Sequence, residues 1–121
     1  MSWFRSTCLA LLLSCTAAAN AHAHAFMNHA EPAVGSEVKQ APREVRIWFS
    51  EPVEPTLSSI TVFDAAGRQI DKKDMHPDAK NKALLRVSLP SLALGTYKVV
   101  WQVVSTDTHV TKGDFTFRVV H

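Results

Sequence analysis

The chain has 121 residues, with 13 Lys and Arg against 11 Asp and Glu, so its formal net charge is only +2. The charged residues are scattered and form no basic stripe, so we expect no nucleic-acid partner. The length allows one small domain with a modest hydrophobic core.

The chain starts with a predicted secretory signal peptide, residues 1–23. Arg5 precedes the apolar run 9–13, and small residues follow at 17–19, an order typical of a cleaved leader. The apolar run is shorter than the roughly 20 residues that a membrane-spanning helix needs. We therefore expect removal of the leader and export of the remaining chain.

The stretch "AHAHAFMNHAEP" contains two competing cleavage sites. Cleavage after Ala21 would leave His22 as the first residue, whereas cleavage after Ala23 would leave His24. A third alternative is lipid attachment at Cys15, which would remove the free amine.

Both cysteines of the chain, Cys8 and Cys15, lie in the leader. The exported domain would then fold without disulfides, and a metal site in it would use nitrogen, oxygen or thioether ligands.

After the leader, apolar and polar residues alternate in several short runs, which predicts strands with one buried face. In "VRIWFS" the predicted inward residues are Val45, Ile47 and Phe49. Two later runs predict the stripes Tyr97, Val99, Trp101 and Val103, and Phe115, Phe117 and Val119. Helical periodicity is weak, so we predict an all-β sandwich of about seven strands.

Two connecting segments are also predicted. Gly67 in "DAAG" suits a turn position that requires a positive φ. The charged segment 71–82, with "DKKD" and "DAKNK", is predicted to be a solvated loop.

The run "STDTHVTKG" between the last two predicted strands contains Asp107 and His109. In extended backbone, residues two apart project from the same face. The two side chains could form a metal-ligand pair, a general acid/base pair or a surface hydrogen bond.

The metal alternative gains weight if the first residue of the processed chain reaches this pair. An N-terminal His24 would offer its α-amine and its own Nδ1 to one ion, closing a six-membered chelate ring. With His109 and the Asp107 carboxylate, the set has three nitrogens and one oxygen. In a tetragonal arrangement, such a set suits Cu(II) first and Ni(II) second, whereas Zn²⁺ prefers a tetrahedron.

Three stretches resemble the CopC family of periplasmic copper-resistance proteins: "HAFMNHAEPAVGS", "IWFSEPVEP" and "GTYKVVWQVVSTDTHVTKGDFTFRV". The resemblance covers nearly all of residues 24–121. The last stretch is the most specific, and its matching positions are Gly95, Tyr97, Val99, Trp101, Ser105, Asp107, His109, Gly113, Phe115 and Phe117.

The resemblance implies an immunoglobulin-like Greek-key β-sandwich, formed by residues 24–121, that binds one Cu(II) ion per chain. The implied ligands are His24, Asp107 and His109, and the spacing from His24 to Glu31 favours cleavage after Ala23. An inner-membrane CopD-type protein is the implied partner of a monomeric copper protein.

Some family members also carry a methionine-rich Cu(I) loop, whereas only Met27 and Met75 remain in this chain after processing. The Met75–His76 pair is either a vestige of such a loop or part of an ordinary exposed loop, and we favour the latter.

The other histidines are assigned no ligand role. We expect His29 to be a surface residue of the first strand and His121 to be solvent-exposed, and we expect His22 to be lost with the leader.

Three functions compete at this point. The first is a periplasmic Cu(II) carrier or buffer in copper homeostasis or resistance, with no catalytic residues. The second is a copper-dependent oxidative enzyme of the histidine-brace type, similar to lytic polysaccharide monooxygenases. The third is an adhesive or interaction sandwich with incidental histidines.

Overall fold

Eight strands form within residues 25–121, which are the residues that the computed structural model describes. In chain order they are β1 (Met27–Glu31), β2 (Glu37–Val38), β3 (Glu44–Phe49), β4 (Ser59–Phe63), β5 (His76–Pro77), β6 (Leu84–Ser88), β7 (Gly95–Val104) and β8 (Val110–Val119). One sheet has the strand order β1–β3–β6–β5, and the other has the order β2–β8–β7–β4. A single turn of 3₁₀ helix, Pro55–Leu57, precedes β4.

The core lies between the two sheets and consists of the predicted apolar stripes. In β3, Val45, Ile47 and Phe49 are buried, while the residues between them are partly exposed. Both predicted stripes of β7 and β8 are also buried. The predicted all-β sandwich is confirmed, and the Greek-key connectivity stays a prediction.

Residues 25–121 form eight strands, whereas about seven were predicted. Two of the eight, β2 and β5, are each only two residues long. A two-residue strand is too short to show alternation in the sequence. The turn prediction at Gly67 is confirmed, since its φ is +85° and its amide donates to the carbonyl of Asp64 at 2.9 Å.

The prediction of a solvated loop over residues 71–82 is confirmed for the exposed residues 72–74 and 79–82, but it is wrong at Asp71, at Met75 and at the short strand β5. Asp71 is only 7% exposed, and its carboxylate accepts hydrogen bonds from the backbone amides of Val62 (2.8 Å) and Lys73 (2.9 Å). Met75 packs against the hydrophobic core. Buried amides need acceptors, and Asp71 supplies one to β4.

The β7–β8 hairpin is the longest antiparallel pair, with ten residues in each strand, paired from Gly95 with Val119 to Val104 with Val110. The hairpin therefore carries the turn with Asp107 and His109 at one end of the sandwich. Across residues 25–121, no helix has the length and apolar character needed to cross a membrane.

Candidate metal centre

The turn between β7 and β8 brings Asp107 and His109 together. Two backbone hydrogen bonds close this turn, from Thr108 N to Ser105 O (2.8 Å) and from Ser105 N to His109 O (2.9 Å). Asp107 Oδ2 lies 3.2 Å from His109 Nδ1. The predicted proximity is confirmed, but the predicted extended backbone is wrong.

Thr108 makes this proximity possible. Its φ is +70°, a left-handed conformation that is a genuine outlier for a β-branched residue. Its hydroxyl donates to the carbonyl of Asp107 at 2.5 Å. Strained backbone of this kind persists where the surrounding contacts impose it, and it clusters at functional sites.

The Asp107 carboxylate is prepared for a cation. A hydrogen bond from the Ser105 hydroxyl is the largest influence on it, and His109 adds a hydrogen bond and its charge. Together they outweigh desolvation and hold the pKa of Asp107 below its ordinary value. The carboxylate is therefore ionised at neutral pH, and its side chain is still 40% exposed, so an ion can reach it.

The start of the described chain is anchored beside this turn. Thr111, two residues after His109, donates its hydroxyl proton to the carbonyl of Ala25 at 2.8 Å. Ala25 is fully buried. Phe26 N donates to Ser50 Oγ (2.8 Å), and Ser50 N donates to Phe26 O (2.7 Å), which fixes the next residue.

His24 itself lies outside the described residues, as do residues 1–23. The anchored residue Ala25 is its direct neighbour, and consecutive Cα atoms are about 3.8 Å apart. Sequence reasoning missed Ser105, Thr111 and Ser50 as supports of the site. Ser105 was matched to the family signature without a role, and Thr111 stands two residues after His109 in the sequence.

The pair can act as a two-point ligand for a metal ion. Asp107 Oδ2 and His109 Nδ1 are 3.2 Å apart, which is close enough for both atoms to bind one ion. Within residues 25–121, no group of three or more His, Cys, Asp or Glu side chains is arranged to hold a metal ion.

The other histidines among residues 25–121 are His29, His76 and His121, and none of them lies in this turn. His29 is exposed on β1, as predicted: its Nε2 is 3.3 Å from Glu31 Oε2, and its ring centroid is 4.7 Å from that of Trp48. His121 is exposed, also as predicted. His76 is exposed as expected, but Met75 is packed against the core and not in an exposed loop.

A family model for the CopC domain matches residues 27–120. The chain belongs to the CopC family. Among curated relatives of this CopC chain, protein YobA of Escherichia coli strain K12 is 36% identical over 112 residues, which is 92% of this chain and 90% of YobA. The copper transport protein CutJ of Bacillus subtilis strain 168 is 33% identical over 98 residues, 80% of this chain but only 18% of CutJ.

Two solved structures share the fold. The crystal structure of CopC from Methylosinus trichosporium OB3b superposes with a TM-score of 0.74 at 32% identity, covering 79% of this chain and 93% of that one. The structure of PcoC, a methionine-rich copper resistance protein from Escherichia coli, has a TM-score of 0.71 at 28% identity and covers 81% of this chain and all of PcoC.

Proposed function

We propose that this CopC-family protein is a periplasmic copper-binding protein that carries or buffers one Cu(II) ion per chain in copper homeostasis or resistance. The active form would be residues 24–121, after removal of the signal peptide 1–23. The single observation that carries the proposal is the hydrogen bond from Thr111 to Ala25, which anchors the neighbour of His24 beside the Asp107–His109 pair.

The proposed ligands are the α-amine and imidazole of His24, the carboxylate of Asp107 and the imidazole of His109. Amine and imidazole nitrogens with one carboxylate suit Cu(II) in a tetragonal geometry. The soft thiolates that select Cu(I) are missing from this domain, since both cysteines precede residue 24. Cu(II) is therefore the favoured oxidation state.

A binding role is favoured over the oxidative enzyme. The Asp107 carboxylate accepts a hydrogen bond from Ser105 and lies 3.2 Å from His109 Nδ1. In the proposed complex it would occupy a coordination position that oxygen chemistry needs open. We therefore assign no catalytic residue.

A segment similar to this chain accounts for only 18% of the copper transport protein CutJ, so in CutJ such a segment is part of a much longer transport protein. We propose that this monomeric protein exchanges copper with a separate inner-membrane CopD-type protein.

Copper titration of the exported protein tests the proposal, with intact mass to verify that the chain starts at His24. We expect one Cu(II) per chain with nitrogen hyperfine structure in the electron paramagnetic resonance (EPR) spectrum, and no Cu(I) site of comparable affinity. The loaded protein should consume no oxygen when a reductant is added. Tight Cu(I) binding that depends on Met75, or rapid reductant-driven oxygen consumption, would contradict the proposal.

A further inference from the structure

We propose that Ser105 is a positioning residue of the copper site, whose hydroxyl orients the Asp107 carboxylate toward the ion. The inference rests on the proposed function because it concerns the same ligands. It assigns a task to a residue that does not itself touch the metal.

Ser105 is fully buried at the end of β7, where it forms an isolated antiparallel bridge with Val53. Its hydroxyl donates to Asp107 Oδ1, and it also lies 3.3 Å from both the amide nitrogen and the carbonyl oxygen of His109. A hydroxyl has a single proton to donate. The carboxylate is the charged and the nearer acceptor, so the proton is directed to Asp107.

The turn does not need this hydroxyl to close. The backbone bonds Thr108 N to Ser105 O and Ser105 N to His109 O already connect its ends. The Ser105 hydroxyl instead restricts the orientation of the Asp107 carboxylate. With Oδ1 held by Ser105, the carboxylate presents Oδ2 toward Nδ1 of His109.

This arrangement reduces the cost of binding. A carboxylate that rotates freely loses rotamer freedom when it binds an ion, whereas the held carboxylate of Asp107 is already oriented. Hydrogen-bonded partners of metal ligands typically contribute about tenfold to hundredfold to metal affinity.

Ser58 provides a matched control. Its hydroxyl also bridges two groups, donating to Glu54 O at 2.7 Å and accepting from Val104 N at 3.1 Å. It supports the segment next to the site, but no hydrogen bond joins it to Asp107 or His109. Ser58→Ala should therefore cost fold stability without a specific loss of copper affinity.

The experiment measures Cu(II) affinity and EPR spectra of the exported, processed protein and four variants: Ser105→Ala, Ser58→Ala, Asp107→Ala and the double variant Ser105→Ala/Asp107→Ala. We expect Ser105→Ala to lower affinity by about tenfold to hundredfold and to change the EPR parameters. In the Asp107→Ala background, the same substitution should change affinity by less than about twofold, because its target is gone. Ser58→Ala should leave the EPR spectrum unchanged.

Two results would overturn the role of Ser105: unchanged affinity in Ser105→Ala, or an equal loss in both backgrounds, which would indicate a general effect on the fold. His109→Ala is measured in parallel. If it binds Cu(II) like the wild type, the proposed ligand set fails and the role of Ser105 fails with it. If only Ser105→Ala is silent, the ligand set stands and the positioning role alone is wrong.

A measurement on the unsubstituted copper-free protein keeps the test independent of variant folding. By NMR, the Ser105 hydroxyl proton should exchange slowly with water and show a coupling to the Asp107 carboxyl carbon. A rapidly exchanging hydroxyl proton with no such coupling would overturn the proposal.

Discussion

Within residues 25–121, two histidines each lie within 4 Å of a carboxylate two positions away in the sequence, at nearly the same distance. His29 and Glu31 approach to 3.3 Å on β1, and Asp107 and His109 approach to 3.2 Å at the β7–β8 turn. Only the second pair is proposed to bind copper, so spacing and distance do not distinguish a metal site from a surface contact.

The surroundings make the difference. Glu31 is also ion-paired with the guanidinium of Arg46, which lies over the ring of Trp48. That cation neutralises the carboxylate and repels a metal ion. Asp107 instead accepts a hydrogen bond from the neutral Ser105 hydroxyl, and the bond from Thr111 to Ala25 anchors the start of the described residues beside the turn.

We expect pH to have the strongest effect, because every nitrogen ligand proposed for copper must lose a proton before it binds. Imidazole and α-amine donors must be deprotonated to bind a metal, and such groups titrate between about pH 6 and pH 8 in model peptides. The pKa of Asp107 is lowered, so the carboxylate stays ionised and adds no proton in this range. Apparent Cu(II) affinity should fall by at least about a thousandfold from pH 7.5 to pH 5.

This prediction is checked by the d–d absorbance and by quenching of Trp48 and Trp101 fluorescence, with circular dichroism to verify that the fold persists. An affinity that stayed flat over this range would exclude the nitrogen ligands named here.

Substituting His109 and His29 one at a time tests directly which of the two pairs binds copper. His109→Ala removes a proposed ligand and should lower Cu(II) affinity by at least about a hundredfold, which exceeds the usual effect of a supporting residue. His29→Ala removes only a surface contact and should leave affinity unchanged. Isothermal titration of both variants gives the comparison, and similar losses in the two would show that the pairs are not functionally distinct.

The carboxylates allow a milder comparison. Asp107→Asn keeps the shape of a proposed ligand but loses its charge, and we expect about a hundredfold loss of Cu(II) affinity, no smaller than the loss expected when only its partner Ser105 is substituted. Glu31→Gln should have no effect on copper and a small effect on stability, since exposed ion pairs contribute about 0–1 kcal/mol. Copper competition assays and thermal melts measure both, and an affinity loss in Glu31→Gln would argue for copper at the wrong pair.

The smallest expected effect concerns the backbone between the ligands. Asn adopts the left-handed conformation more readily than Thr, so Thr108→Asn should raise Tm by about 2–4 °C with copper stoichiometry unchanged. Asn28→Thr, at the irregular pairing of β1 where φ is not positive, provides a control with no expected relief of strain. A lower Tm in Thr108→Asn would show that the Thr108 hydroxyl contributes more than the strain costs.

Local patterns made much of this structure predictable. The buried stripes of β3, β7 and β8 follow from alternation, and the Asp107–His109 pair follows from its spacing. The left-handed Thr108 could not be predicted, because the same proximity was expected from extended backbone.

Long-range contacts account for what was missed. The Thr111–Ala25 hydrogen bond joins residues 86 positions apart, and no local pattern encodes it. Asp71 was expected in solvent because lysines surround it in the sequence, but its acceptors are needed by amides of β4 and of its own turn. Asp71 is buried because β4 supplies the amide of Val62 as its partner.

In the proposed site, the α-amine of His24 completes the ligand set with Asp107 and His109. A single extra residue ahead of His24 tests this role of the amine. Two proteins are compared, one starting at His24 and the other retaining Ala23 ahead of it, each verified by intact mass and titrated with Cu(II). Retention of Ala23 moves the amine away from its own imidazole and breaks the chelate, so we expect at least about a hundredfold weaker binding with an unchanged Tm. Equal Cu(II) affinity in the two proteins would contradict the N-terminal site.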